Sequence, residues 1–383
     1  MTQPNILDIL GAKATATPSS ATSESRIPTL AQLVKEAHNQ GYSDIHLGVG
    51  RPPYFRNHGI IERTNYPLAN ETHFWSWMEE ILNPAEIDKF REQQDFDGAS
   101  EYEFTRVRIN AFMTLRGAAM VLRLIPLQIK TLDELGLPEV FKKLSMDYRR
   151  GLILLTGETG SGKSTTLAAM IDHINRHLPK HIVTIEDPIE FVHQNHKSLI
   201  NQREVGMHTS DFDRALRAVL REDPDIILIG EMRDRNTVST ALKAAQTGHL
   251  VLGTLHTNSA VASIERLLNI YEPPEQEVMR IQIAEALVAV VSQILVRTYD
   301  GKRTVAQEIM LNTDAIKDWI QRGEIDKIEA VIPESRFDGM QTMNQALYHL
   351  YQRGKISQEE ALAASPKANE MIHMIKGAGS SAW

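Results

Sequence analysis

Cysteine is absent from this chain of 383 residues. That excludes disulfides, a thiol nucleophile and any zinc or iron–sulfur site ligated by cysteine. Long apolar runs are missing too: nothing approaches the roughly eighteen consecutive apolar residues of a transmembrane helix. Near the amino terminus, Ile6-Leu7-Asp8-Ile9-Leu10 is too short for a signal-peptide core and carries an acid. No internal repeat is present, and positive charge is not in excess. With 41 Lys and Arg against 49 Asp and Glu, the net charge of -8 speaks against a large nucleic-acid footprint. The 42% hydrophobic and 23% charged content is that of a soluble globular protein, long enough for two domains. A cytosolic location fits.

Residues 12–26 are rich in Ala, Thr, Ser and Pro without apolar period, so 1–28 is expected to be a disordered tail. Leu30, Leu33, Val34 and Ala37 then predict a helix. Ser43–Leu47, Pro53–Arg56 and Gly59–Glu62 alternate as strands do. A helical stretch over Trp75–Leu82 and strands over Phe104–Phe112 and Ala118–Ile125 complete a small α+β domain, 29–125. The stretch 126–140 reads as a linker with a short helix. From Gly151 the pattern becomes strand–helix alternation, with apolar runs at Leu152–Thr156, Ile182–Ile185, Ile226–Ile229 and Leu250–Leu255. This predicts an α/β core over 141–335, its sheet largely parallel and covered on both faces. Ser210 and Asp213 resemble a capping box opening a crossover helix with the stripe Phe212, Ala215, Leu216, Val219 and Leu220. A helical region, 336–383, follows: Met343, Ala346, Leu347, Leu350 and Tyr351 share a face, Gly354 closes that helix and Ser357 opens another.

The sharpest local pattern is Gly157-Glu158-Thr159-Gly160-Ser161-Gly162-Lys163-Ser164, preceded by an apolar strand and followed by a helical pattern. That is the full context of a phosphate-binding P-loop. Glycines at 157, 160 and 162 let the backbone turn its N–H groups inward on an anion. The following helix adds its positive end. Lys163 brings a compact charge for the β- and γ-phosphates, and the Ser164 hydroxyl is a hard ligand for Mg2+. Thr159, Ser161 and Thr165 complete the nucleotide-binding set. The chain is read as binding a nucleoside triphosphate.

Three later segments fall where strand ends meet the phosphates. Glu186 and Asp187 leave an apolar strand that Pro188 stops; a carboxylate there can orient or deprotonate water, or be a solvated acid at a strand end. Asp225-Ile226-Ile227-Leu228-Ile229-Gly230-Glu231 has the Walker B arrangement, with Gly230 in place of the usual Asp and Glu231 as the acid beside Mg2+. His249 and His256 flank one apolar strand; a neutral imidazole can report the γ-phosphate, and a purely structural role stands beside that reading. Arg106, Arg108, Arg116 and Arg123 crowd the first domain. Arg108 and Arg123 lie on separate strands and can serve a neighbour's phosphate in a ring, or simply keep the surface soluble.

Together these residues resemble the secretion ATPase superfamily, and within it the type IV pilus retraction ATPase family, PilT and PilU. The resemblance runs from about Ser43 through the C-terminal helices and rests on segments 157–170, 184–193, 220–234 and 247–257. It implies a PAS-like α+β domain, a RecA-like P-loop motor domain and a helical C-terminus, assembled as a homo-hexamer that hydrolyses ATP with Mg2+. By that resemblance Lys163, Glu186 and Glu231 are catalytic, and Ser164 and Glu231 contact the metal. His249, His256, Arg108 and Arg123 would contact nucleotide, the histidines coupling its state to motion. Expected partners are a pilus inner-membrane platform protein and a paralogous retraction ATPase, at the cytoplasmic face of the inner membrane; no nucleic acid is expected. Extension ATPases commonly carry a four-cysteine zinc element, and its absence favours retraction. Segment 315–323 and the stretch from Gly339 to about Lys376 lean towards PilU. An accessory ATPase dependent on a partner motor is the alternative, with an assembly or secretion ATPase or a nucleic-acid motor further off.

Overall fold

The computed structural model describes residues 27–57, 59–125 and 127–379, in two compact units that divide between Ile125 and Pro126. Most of the expected tail, 1–28, lies outside the described residues. Its last two residues are anchored: Ile27 packs on the first unit's core, and the Trp77 indole donates to the Pro28 carbonyl at 2.9 Å.

The first unit runs α1 (Leu30–Gln40), β1 (Asp44–Gly48), β2 (Tyr54–Asn57), β3 (Ile60–Arg63), α2 (Glu71–Ile81), α3 (Pro84–Gln93), β4 (Asp95–Tyr102), β5 (Thr105–Thr114) and β6 (Gly117–Ile125). Its strands form one antiparallel sheet ordered β3-β2-β1-β6-β5-β4. A Thr29–Gln32 capping box starts α1, and Gly41, at φ 73°, ends it. Leu30, Leu33, Val34 and Ala37 pack with Phe74, Trp77 and Met78 of α2 on Ile45, Leu47 and Leu122 of the sheet. In the row across the sheet, Asp44 lies opposite both Arg56 and Arg123, and Arg123 lies opposite Arg108. Sequence patterning misses α3 and β4. Only Ile87 and Phe90 of α3 are buried, and β4 is an edge strand with exposed acids, so neither shows a strong apolar period.

The second unit runs α4 (Val140–Met146), β7 (Gly151–Thr156), α5 (Lys163–His177), β8 (His181–Glu186), β9 (Leu199–Glu204), α6 (Phe212–Val219), β10 (Ile226–Ile229), α7 (Arg235–Gln246), β11 (Leu250–Leu255), α8 (Ala260–Leu268), α9 (Pro273–Ala286), β12 (Leu287–Arg297), β13 (Arg303–Leu311), α10 (Asp314–Arg322), α11 (Ile328–Val331), α12 (Met343–Gln352), α13 (Gln358–Ala363) and α14 (Ala368–Gly379). The seven strands are ordered β13-β12-β7-β11-β10-β8-β9. Every pair is parallel except the edge pair β12–β13. Period-2 alternation sends Leu152, Val183, Ile227 and Val251 to a core shared with α6, α7 and α9. Ile153, Ile182, Leu228 and Leu252 go to the opposite core, with α4 and α5. The sheet is therefore covered on both faces, as expected.

One expectation needs correction, the start of α6, and two features escape the sequence reading. Within the stretch read as a linker, Leu132 and Leu137 are buried in the core beneath α4 and α5. Helix α6 is capped by Asp211, whose side chain accepts from the Arg214 N–H at 2.8 Å, while Ser210 only donates to Asp211. The strands β9, β12 and β13 escape the apolar-run reading. β12 follows α9 with no intervening turn, so one apolar stretch serves helix and strand.

Leu216 of α6 is fully buried between helix and sheet. Leu216→Ala is expected to cost about 3 kcal/mol, from lost transfer energy and an unfilled cavity, read as a lower urea midpoint with unchanged slope.

Candidate functional site

The P-loop leaves the wholly buried strand β7 at Thr156. There the Thr156 and Ser292 hydroxyls are hydrogen-bonded at 2.7 Å, linking β7 to β12. Gly157 has φ 141°, and a Cβ on it would lie 2.4 Å from the Gln293 carbonyl oxygen. Only glycine fits this backbone-to-backbone approach. The Gln293 side chain holds the loop from behind: Nε2 donates to the Ser161 carbonyl at 2.8 Å, and Oε1 accepts from the Thr166 hydroxyl at 3.1 Å. Gly162, left-handed at φ 89°, hands the chain to α5 with no side-chain cap on the helix N-terminus. Lys163 Nζ donates to the Gly157 carbonyl at 2.7 Å and the Glu158 carbonyl at 3.0 Å. Burial pulls its pKa down, opposed by the charges of Glu231 and Glu190. The buried Ser161 hydroxyl has no partner among the described residues. Glycine N–H groups, a bare helix start and a lysine form a cradle suited to an anion.

Beside it lies a pocket of about 80 Å³ bordered by Ser164, Glu186, His193, Glu231 and Thr254. Strands β8 and β10 end side by side, and the Gly230 N–H donates to the Ile185 carbonyl at 2.7 Å. A Cβ at position 230 would sit 3.1 Å from that oxygen and 3.2 Å from Glu186 Cα. That closeness accounts for glycine where a Walker B strand usually carries Asp. Glu231 is ion-paired with Arg233 and lies 3.1 Å from His256 Nε2. Burial pushes its carboxyl up, but hydrogen bonding and charge from Arg233, then His256, outweigh it and hold the group below the usual value. Burial raises Glu186 to about 6, against hydrogen bonds donated to its Oε1 by Thr184 Oγ1 at 2.6 Å and Gln202 Nε2 at 3.1 Å. One acid is held ionised and its neighbour titrates near neutrality, the separation that acid–base chemistry exploits.

Thr184 and Gln202 were missed by sequence reasoning. They face each other in register across β8 and β9. Gln202 also donates to the Phe191 carbonyl at 2.8 Å and accepts from the His193 N–H at 2.9 Å, fastening the loop after Pro188. The polar run Leu199–Glu204 gave no strand signal, so nothing placed Gln202 near an acid.

The remaining sequence-predicted residues fall elsewhere. His256 follows β11 at its carboxyl end, against Glu231. His249 precedes β11 at the other end, where its Nδ1 lies 3.0 Å from the Ala244 carbonyl oxygen. Six strand residues at about 3.3 Å each put the two histidines roughly 20 Å apart. The expected nucleotide contact by His249 is therefore not formed at its own chain's P-loop. Arg108 and Arg123 belong to the first unit. Arg123 Nε donates to the buried Asp44 at 2.9 Å, and Arg108 lies 3.8 Å from Asp97.

A P-loop strand, a Walker B strand separated from it by β11, and an acid at the end of β8 define a RecA-type P-loop ATPase. The family model described as Type II/IV secretion system protein matches residues 20–377, and the chain belongs to that family. It is 45% identical over 333 residues to the type IV pilus retraction ATPase PilT of Pseudomonas aeruginosa, covering 87% of this chain and 96% of that protein. It is 40% identical over 348 residues to the type IV pilus ATPase PilU of the same organism, covering 90% and 91%. A crystal structure of the pilus retraction motor PilT with bound ADP matches at a TM-score of 0.84 and 42% identity, covering 90% of this chain and 98% of that one. The chain is thus an ATPase. Identity is higher to PilT, so these figures lend the leaning towards PilU no support.

Were Glu186 the group that accepts a proton during turnover, kcat would be expected to rise with pH through a midpoint near 6, the deprotonated form being the competent one. Glu186→Gln is expected to flatten that limb in a pH–rate profile of ATP hydrolysis.

Proposed function

We infer that this chain is an ATP-driven motor of type IV pilus retraction, working as a hexameric ring at the cytoplasmic face of the inner membrane. The observation that carries this reading is an intact P-loop, Glu186 and Glu231 in a chain that aligns with 96% of PilT. The lack of cysteine points the same way, since a four-cysteine element marks the extension ATPases that the chain resembles more distantly. Among the described residues, no helix is long and apolar enough to cross a membrane. Attachment to a membrane platform protein would then be peripheral. A paralogous retraction ATPase is a second proposed partner.

In the proposed mechanism, Lys163 exchanges the Gly157 and Glu158 carbonyls for the β- and γ-phosphates of ATP. Gly157, Thr159, Gly160, Ser161, Gly162 and Thr165 wrap the phosphate chain with backbone donors. Ser164 and Glu231 border one small pocket and offer hard oxygens that suit Mg2+, which when bound neutralises phosphate charge. Glu186, held by Thr184 and Gln202, orients the attacking water and takes its proton. His256, already on Glu231, shifts as that carboxylate changes partners and so reads the nucleotide state. His249 is kept as a link between α7 and β11, and Arg108 and Arg123 as nucleotide contacts in the assembled ring.

Lys163→Ala and Glu231→Gln are each expected to lower ATP turnover of purified protein at least about 100-fold, with folding retained by circular dichroism. Near-normal turnover in both would remove the assignment. A deletion strain is expected to be hyperpiliated and unable to twitch, scored by electron microscopy and stab motility. Loss of surface pili would instead indicate assembly, and retained retraction in a Lys163→Ala strain an accessory role.

A further inference from the structure

A groove of about 760 Å³ lies in the second unit, and none of its lining belongs to the P-loop or the two acids. Its floor is strand β13, at the edge of the seven-stranded sheet. One wall is Leu137–Lys143 and the other is α12; the turn Arg336–Gln341 closes one end.

The free edge of β13 can be read from a single pairing. The Ile309 N–H donates to the Gln341 carbonyl at 2.8 Å, and the Gln341 N–H donates back to Ile309 at 3.1 Å. Ile309 therefore turns both backbone groups away from β12. By the period of a strand, Gln307, Val305 and Arg303 do the same. Beyond Gln341 the chain enters α12 and pairs no further. The Gln307 carbonyl accepts from the Gln341 side chain at 2.9 Å. The N–H groups of Val305 and Gln307, turned away from β12 by the same period, meet no backbone acceptor outside the β12 ladder among the described residues. The Gln307 side chain, 2% exposed, lines the groove, and its buried Nε2 also lacks a partner. A buried side-chain donor such as this Nε2 ordinarily finds an acceptor.

The rim is positive. Lys143, Arg336, Arg353 and Lys355 line the groove, and none of them is ion-paired among the described residues. They outnumber Glu139, which is tied to Lys142, and Asp338. The His349 imidazole at the same rim is held below its usual pKa by burial, then by the charges of Arg353 and Arg336. Phe337 stands fully exposed beside them.

We propose that this groove takes an acidic, extended segment of a partner protein, added as a further strand along the free edge of β13. Unpaired edge donors supply main-chain affinity, and the unpaired cations select alternating acids facing the rim. The source is a partner protein, and the recognition does not depend on which way the motor pulls.

The test uses the full-length protein and fluorescence anisotropy with a short fluorescein-labelled peptide of alternating Glu and Val. Its Lys–Val counterpart is the charge control. The Glu–Val probe is expected to bind at least about tenfold more tightly than the control and to weaken as salt rises. Val305→Pro removes an edge donor while leaving the β12 ladder, which residues 304 and 306 make, and is expected to weaken binding about tenfold. Arg353→Glu with Lys355→Glu, on the surface, is expected to weaken it at least as much and serves if the proline variant fails to fold. Equal binding of both probes, or charge reversal without effect, overturns the proposal. So does failure of the Glu–Val probe to bind while charge reversal changes the sedimentation of the protein alone, which would make the groove a contact between copies.

Discussion

The rest of the second unit depends on how closely β12 approaches the back of the P-loop. Gly157 meets the Gln293 backbone, Thr156 shares a hydroxyl hydrogen bond with Ser292, and the Gln293 amide spends both ends on Ser161 and Thr166. A buried amide satisfied at both ends fixes its neighbours, because any displacement leaves a polar group unpaired in a low-dielectric interior. The loop that must receive a multiply charged anion is thus rigid before any ligand arrives. Gln293 also lies directly opposite Gln307 in the β12–β13 register. One strand separates the nucleotide cradle from the floor of the basic groove.

The electrostatics of the site are built from opposed environments. Glu231 is exposed enough to reach Arg233 and His256, and those partners keep it charged. Burial raises Glu186, which receives hydrogen bonds from neutral donors only, and the charges of Glu190 and Glu204 push the same way, so its proton is loosely decided near neutrality. Glu186 ends β8 and Glu231 follows just beyond β10, at the carboxyl edge of neighbouring parallel strands where the fold habitually gathers chemistry.

The sequence made legible whatever repeats with a period or demands a special residue. Strands β7, β8, β10 and β11 read as apolar runs because they are buried on both faces. The P-loop, Glu186 and Glu231 read through glycine, proline and charge at strand ends. Gln202 and Gln293 did not read, because a polar residue acquires meaning only from the group it faces across a register. The two histidines could not be told apart for a related reason: closeness in sequence says nothing of which end of a strand each occupies. The packing of the stretch read as a linker stayed hidden because Leu132 and Leu137 are too widely spaced to show a period, yet each fills the core.

Position 230 has a consequence for the geometry of the two acids. Without a side chain there, β10 lies flush against β8, main chain to main chain. The gap between the roots of Glu186 and Glu231 is then fixed by peptide geometry rather than by a rotamer. The spacing of the two carboxylate roots is thereby a property of the sheet, independent of any side-chain rotamer at position 230.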